Sequence, residues 1–160
     1  MATTQPPQAA PSFAETPESL VEIANRLIAR ARKVQDEVAT SVRPDTATFS
    51  NVLLPLAHAS NALEAEAQLM GFFREASPDA ELRAASREAQ KRFDEFTIET
   101  ATRQDIYSLV EAVWNRRDEL DLDPESQKLL EKNYKDYVRS GLKLPRRTRP
   151  RSFQKHPAAH

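Results

Sequence analysis

One helix-start signal occurs three times in this sequence and constrains the fold more than any other feature. A residue with a side-chain oxygen precedes a proline and then an acid, at Thr16-Pro17-Glu18, Ser77-Pro78-Asp79 and Asp123-Pro124-Glu125. The oxygen can accept hydrogen bonds from free backbone N–H groups, and proline suits the first helical position. The acid is favourable at the positive end of the helix dipole. The sequence therefore predicts three helices that begin at these prolines.

The first helical region is uninterrupted, whereas the second contains a proline. The first helix is predicted over 17–41, with an apolar stripe at helical spacing that consists of Leu20, Ala24, Leu27, Ala31, Val34 and Val38. A second region over 48–76 contains Pro55, which lacks a backbone N–H and should kink the helix or divide it.

The remaining helical pattern starts at residue 78 and again at residue 124. After residue 78 a polar interval at 97–105 divides the apolar stripe, so one long helix and two collinear helices are equally compatible with it. The last helix is predicted over 124–140, and Gly141 should end it in a left-handed cap with Leu142 behind it. The stripe residues are Leu82, Ala85, Ala89, Phe93, Phe96, Ile106, Val110, Val113 and Trp114, then Leu130, Tyr134, Tyr137 and Val138.

Glycine is scarce, with two residues in 160, against a usual share of about 7%. This disfavours hairpins and glycine-rich phosphate loops, and no segment alternates convincingly between polar and apolar residues. The predicted class is all-α, with one helical region over 16–145 between a disordered arm at 1–15 and a basic, proline-containing unstructured tail at 146–160. Residues 143–160 hold six Lys or Arg and no acid, whereas residues 1–142 hold 17 basic and 24 acidic side chains.

The sequence offers no convincing metal or nucleophile site. It has no cysteine, which excludes a thiolate nucleophile, a disulfide and a cysteine zinc site. His156 and His160 have the spacing of a helical zinc pair, but Pro157 stands where the zinc-peptidase motif has its glutamate. His58 has no partner histidine and reads as an ordinary helix-surface residue.

Carboxylates are plentiful but read as solvated helix surface. The paired acids Glu64 and Glu66, Asp94 and Glu95, and Asp118 and Glu119 could do acid–base work only if burial separated their pKa values. On helices this charged, an exposed face is the better interpretation. The aromatic residues Phe72, Phe73, Phe93, Phe96 and Trp114 are expected in a core or interface rather than against a ligand. We therefore predict no catalytic, cofactor-binding or metal residue in this chain.

Charge and hydropathy also bear on partners and location. Arg146, Arg147, Arg149 and Arg151 could bind nucleic acid or direct nuclear import, but only Phe153 accompanies them and the rest of the chain is acidic. We expect no nucleic-acid partner. No stretch approaches 18 consecutive apolar residues, so no membrane span is expected, and the start lacks secretory and mitochondrial features. The cytosol is the expected location.

Three runs resemble a known family. "ATFSNVLLPLA" (47–57), "SPDAELRAASREAQKRFDEFTIETATRQDIYSLVEAV" (77–113) and "LDPESQKLLEKNYKDYVRSGLKLP" (122–145) are similar to the N-terminal region of zinc oligopeptidases of the thimet oligopeptidase, neurolysin and saccharolysin group, with the fungal branch closest in character. The resemblance implies helices that form part of one lobe beside a channel for short peptides. It also implies that zinc is held on a HExxH motif far beyond the matching region.

The resemblance ends after Pro145, where the family would continue with an amphipathic helix. A shifted reading frame, an unspliced intron or a mispredicted gene end would each produce such a tail. The leading hypothesis is a truncated, catalytically inactive fragment without a cofactor of its own, which self-associates through exposed apolar faces. Two alternatives stay open. In one, a completing chain such as the missing catalytic lobe makes a metallopeptidase. In the other, the helices form a module that binds short peptides or a protein partner, encoded in a biosynthetic gene cluster.

Overall fold

A computed structural model describes residues 14–144 and shows five α-helices and no strand within that range. The all-α prediction is thereby confirmed. Residues 1–13 of the predicted N-terminal arm and the whole predicted basic tail, with His156 and His160, lie outside the described range. Between residues 14 and 144 no helix combines the length and the apolar character that a membrane crossing requires. The helices are α1 (Pro17–Ser41), α2 (Leu54–Ala76), α3 (Ala80–Ala101), α4 (Gln104–Asn115) and α5 (Pro124–Arg139).

The helix-start signals work as predicted at α1 and α5. The Thr16 hydroxyl accepts from the Ser19 N–H at 3.2 Å, and the Ser19 hydroxyl accepts from the Thr16 N–H at 2.9 Å, a reciprocal capping box. Asp123 accepts from the N–H groups of Glu125 and Ser126 at 2.9 and 3.0 Å. Both helices begin at the proline that follows the cap.

The predicted start of the third helix at Pro78 is wrong by two residues. Asp79 is the cap, because its carboxylate accepts from the Glu81 N–H at 2.8 Å, and α3 begins at Ala80. Ser77 instead closes α2, donating its N–H to the Phe73 carbonyl at 3.1 Å. Pro78 therefore separates two helices rather than starting one.

Pro55 lies in the first turn of α2, and the predicted 48–76 region is divided just before it into a wider turn and α2. Residues Phe49–Leu53 form a π-helical turn that runs directly into α2, and the Leu54 N–H donates to the Phe49 carbonyl five residues back. Thr48 and Asn51 cap this turn reciprocally, at 2.7 and 3.1 Å. The asparagine and proline of "NVLLPLA" thus shape the entrance of α2.

The polar interval proves to contain a helix break. α3 ends at Ala101 and α4 starts at Gln104, with Arg103 in an extended conformation between them. Neither glycine nor proline stands at this break, which explains why the sequence alone left one helix or two open.

Two separate apolar cores form, and α1 contributes to both. The first, here called the phenylalanine core, lies among α1, α2 and α3 and comprises Leu20, Ala24, Ile28, Ala31, Met70, Phe73, Ala85, Ala89, Phe93 and Phe96. The second, the tyrosine core, joins the end of α1, the π-helical turn, α4 and α5 and comprises Val38, Ala47, Phe49, Val52, Leu53, Ile106, Tyr107, Leu109, Val110, Val113, Leu130, Tyr137 and Leu142. On α1, Ile28 and Gln35 are buried where Leu27 and Val34 were predicted, and those two are half-buried.

The end of α5 has the predicted left-handed cap. Gly141 has φ +82°, its N–H donates to the Val138 carbonyl at 2.9 Å, and the Leu142 N–H donates to the Tyr137 carbonyl at 3.2 Å. This is the Schellman arrangement, and it places Leu142 in the tyrosine core.

Replacing each of the two glycines by alanine should change the free energy of unfolding in opposite directions. We expect Gly141→Ala to lower the free energy of unfolding by about 1 kcal/mol, because an L side chain is strained at that φ. Gly71 lies inside α2, and the atom nearest to an added Cβ is the Gln90 Oε1 at 3.9 Å. Gly71→Ala should therefore stabilise the protein, by about 0.5–1 kcal/mol. Urea denaturation followed by circular dichroism measures both free-energy changes. Two losses or two gains of stability would contradict the prediction.

Candidate functional site

A group of paired polar side chains lies between the two cores, where α1 meets the α3–α4 break. Arg32 on α1 binds Glu99 through two hydrogen bonds, Nε to Oε1 at 2.9 Å and Nη2 to Oε2 at 2.8 Å. Its guanidinium also lies 5.4 Å from the centre of the Phe96 ring. The hydrogen bond to Glu99 raises the pKa of Arg32, so Arg32 is charged at any working pH.

Arg103 fills the break and is itself only 16% exposed. It binds the Asp105 carboxylate, with Nε 3.1 Å from Oδ1, and pairs with Asp36 across the helix interface. Burial raises the pKa of Asp105, but the hydrogen bonds from Arg103 and from the Ile106 N–H outweigh it, so the net shift is downward. Asp105 is therefore ionised at neutral pH and unsuited to donate a proton.

Gln35 completes this polar junction, defined here as Arg32, Gln35, Asp36, Glu99, Thr100, Arg103 and Asp105. It is 8% exposed; its Nε2 donates to the Thr100 hydroxyl at 3.1 Å, while its buried Oε1 lacks a hydrogen-bond donor. The neighbouring surface of α1 has a shallow depression lined by Ala29, Arg32, Lys33, Asp36, Glu37 and Thr40. The charged members of the junction are paired with one another, which suits positioning of helices rather than proton transfer.

Side-chain pairs between α1 and the α3–α4 region show that α1 and α3 run in the same direction. Three cross-helix pairs, Asn25 with Arg92, Arg32 with Glu99, and Asp36 with Arg103, all join residues 67 positions apart. Residue numbers therefore rise together along both helices, so α1 and α3 are parallel. The sequence pattern marked the polar interval at 97–105 but could not show its partners, because they lie on another helix.

A second polar and aromatic group lies at the far end of α4. The rings of Trp114 and Tyr134 stack with centroids 4.7 Å apart and planes inclined by 7°. The Arg117 guanidinium lies 4.5 Å from the centre of the Trp114 ring, and Lys143 Nζ lies 3.3 Å from the Tyr134 hydroxyl. The stack joins α4, α5 and the segment after Gly141, which favours the predicted core or interface role of Trp114.

The remaining residues considered for chemistry lie apart from one another. His58 is exposed on α2, as predicted, and so are the acid pairs on α2 and α3 and after α4. Across residues 14–144 no group of three or more His, Cys, Asp or Glu side chains could hold a metal ion. The described residues do not fit a zinc site, and the wider expectation that the chain has no catalytic, cofactor or metal residue stays a prediction.

Burial of two tyrosines makes stability depend on pH in the alkaline range. Burial raises the pKa of Tyr137 to about 12, and burial with a hydrogen bond to Glu111 raises that of Tyr107 further. Unfolded tyrosine has a pKa of about 10, so the neutral hydroxyls stabilise the fold fully below pH 10, and this contribution is lost as the pH rises towards 12.

We expect the urea midpoint to fall between pH 10 and 12, and the tyrosinate absorbance at 295 nm to rise later in folded than in urea-unfolded protein. Tyr137→Phe should weaken this pH dependence. Identical titration of the folded and unfolded chains would contradict the prediction.

No family model matches the chain, but several curated oligopeptidases are similar to it. Saccharolysin of Saccharomyces cerevisiae is 30% identical over 142 residues, 86% of this chain but 19% of the relative. Oligopeptidase PhomG′ of Diaporthe leptostromiformis is 30% identical over 137 residues, which are 84% of this chain and 11% of the relative. A probable thimet oligopeptidase of Arabidopsis thaliana is 28% identical over 127 residues, which are 79% of this chain and 18% of the relative. The match thus spans between a tenth and a fifth of each relative's length, and most of this chain is homologous to a part of these oligopeptidases.

Proposed function

We propose that this chain is a non-catalytic helical part of an oligopeptidase-type protein and does not hydrolyse peptides on its own. The extent of the match carries the proposal, since at least four-fifths of each relative lies outside it. The sequence contains no His-Glu-x-x-His run, the motif on which the resemblance places zinc. The described residues supply a helical frame in which cross-helix hydrogen bonds hold α1 and α3 parallel.

The test is zinc content and peptidase activity of the purified chain. We expect no stoichiometric zinc by mass spectrometry and no chelator-sensitive cleavage of a quenched fluorescent short peptide, with yeast saccharolysin as the positive control. Stoichiometric zinc together with cleavage that a chelator abolishes would overturn the proposal. Cleavage that appears only after a second polypeptide is added would support the completing-chain alternative instead.

Partners and location form part of the same proposal. We propose the catalytic lobe of an oligopeptidase-type protein as the partner, short peptides as the ligands on which that lobe acts, and the cytosol as the compartment. Self-association is proposed as well, because Phe72, Ile98 and Leu144 are large apolar residues with substantial exposure in the described chain. Sedimentation equilibrium measures it directly.

A further inference from the structure

The α3–α4 break departs from helical geometry chiefly at one residue. Thr102 has φ −106° and ψ 2°, and Arg103 has φ −70° and ψ 101°, whereas an α-helix has ψ of about −42°. The N–H groups of both residues still donate to carbonyls three positions back, those of Glu99 and Thr100, each at 3.2 Å. A rotation about ψ of Arg103, with smaller adjustments at Thr102, would therefore make α3 and α4 continuous.

The sequence across the break is compatible with a single helix. Residues 97–105 contain neither glycine nor proline, the residues that most strongly disfavour helix. Phe96, Arg103 and Val110 follow one another at intervals of seven, so a continuous helix would carry all three on one side. The break is thus favoured by what Arg103 binds rather than by the local sequence.

Arg103 holds the bent arrangement through carboxylates on two different helices. It pairs with Asp36 on α1 and with Asp105 in the first turn of α4, and its side chain is only 16% exposed. Residues two positions apart in a helix do not face each other, so a continuous helix would separate Arg103 from Asp105. The ion pairs of Arg103 therefore oppose straightening of the break.

Straightening would move α4 and α5 as a unit without opening the phenylalanine core. All members of that core lie on α1, α2 and α3, whereas α4 and α5 belong to the tyrosine core. A single helix from Ala80 to Asn115 would be about 54 Å long. It would carry α4 and α5 away from Val38, Val52 and Leu53 of the same chain. Those contacts form again when a second copy supplies its own α4 and α5.

We propose that the α3–α4 break is a hinge held in place by Arg103, and that a second copy of this chain is the partner when the hinge opens. In the resulting dimer, α3 and α4 form one helix in each chain, and α4 and α5 pack on the π-helical turn of the other chain. This exchange is distinct from association through exposed apolar residues. It also does not rest on the proposed lack of catalysis.

Two substitutions of Arg103 separate the hinge from a merely stabilising role of the arginine. Arg103→Ala and Arg103→Gly remove the same ion pairs, but alanine favours a continuous helix and glycine disfavours it. After incubation at high concentration, we expect Arg103→Ala to form a dimer that persists on dilution. Its association constant should exceed that of Arg103→Gly roughly tenfold, because two helices straighten in each dimer.

Light scattering after size-exclusion chromatography measures the dimer. Arg103→Gln also removes the cation and keeps a high helix propensity, so it should dimerise like Arg103→Ala and serves as a second, milder variant. Equal dimerisation of the alanine and glycine variants would overturn the proposal, and so would monomers alone for both the alanine and the glutamine variant.

Gln104→Pro should block the exchange. Proline suits the first position of α4 and an extended residue before it, but it would break a continuous helix. We expect Arg103→Ala combined with Gln104→Pro to be monomeric. The matched control is Arg103→Ala with Ala80→Pro, since Ala80 is the first residue of α3 and also follows an extended residue; it should still dimerise. A dimer of the Gln104→Pro variant would contradict the hinge.

Spin labels test the straight helix directly, whatever the stability of the proline variants. The chain has no natural cysteine, and Lys91→Cys with Asn115→Cys places labels at two exposed positions on α3 and α4. Along a continuous helix these positions are about 36 Å apart, and in the bent monomer they are closer. In the Arg103→Ala background, we expect double electron–electron resonance to give the longer distance for dimers diluted with unlabelled chain. A dimer with the distance of the monomer would overturn the exchange and indicate association through exposed apolar residues instead.

Discussion

Phe93→Ala is expected to lower the free energy of unfolding by about 3–5 kcal/mol, the largest effect among the single substitutions considered. Phe93 is 5% exposed in the phenylalanine core, between α1 and the second half of α2. Removing the ring takes away its transfer free energy and leaves a cavity that helices tied at both ends cannot close fully. Because a domain of this size is stable by only about 5–15 kcal/mol, a large fraction of the variant should be unfolded in mild urea.

Ile98→Ala is the matched control for Phe93→Ala. Ile98 lies on the same helix and is 65% exposed, so its truncation should change the free energy of unfolding by about 0.5 kcal/mol or less. Urea denaturation followed at 222 nm gives both values. Similar losses for the two variants would mean that α3 does not present the Phe93 side to the core.

Arg103→Gln is expected to cost about 1–3 kcal/mol of unfolding free energy, the second-largest effect. The substitution leaves the carboxylates of Asp36 and Asp105 without their cation at the junction between the cores. Because no glycine or proline fixes the α3–α4 break, its geometry depends on these contacts more than on local sequence.

Arg43→Gln provides the control for Arg103→Gln. Arg43 makes a similar two-bond contact with Asp45, at 3.2 and 2.9 Å, but its side chain is 75% exposed. Its loss should cost no more than about 1 kcal/mol, and added salt should reduce that cost further. Equal effects of the two substitutions would show that burial of Arg103 adds nothing to its contribution.

The sequence predicted those features whose causes are local. The caps at Thr16 and Asp123 and the stop at Gly141 each depend on residues within a few positions, and the structure confirms all three. The start of α3 was misplaced because Ser77 and Asp79 both offer an oxygen, and only the fold decides which one faces the free N–H groups.

Features that depend on another helix could not be predicted. The register of 67 residues between α1 and α3 follows from pairs such as Arg32 with Glu99, which no periodicity reveals. Gln35 replaces the expected Val34 on the buried side because α1 turns its polar residue towards Thr100. The division into two cores likewise needs the α3–α4 break, which the sequence left open.

The partition of aromatic residues has a practical consequence for spectroscopy. The single tryptophan and all three tyrosines belong to or pack against the tyrosine core, whereas the phenylalanine core contains none of them. Emission excited at 280 or 295 nm thus reports on one half of the molecule, and far-ultraviolet dichroism averages over both. Superimposable melting curves from the two signals would establish that the halves melt as one cooperative unit, as expected for two cores that share the helices α1 and α2.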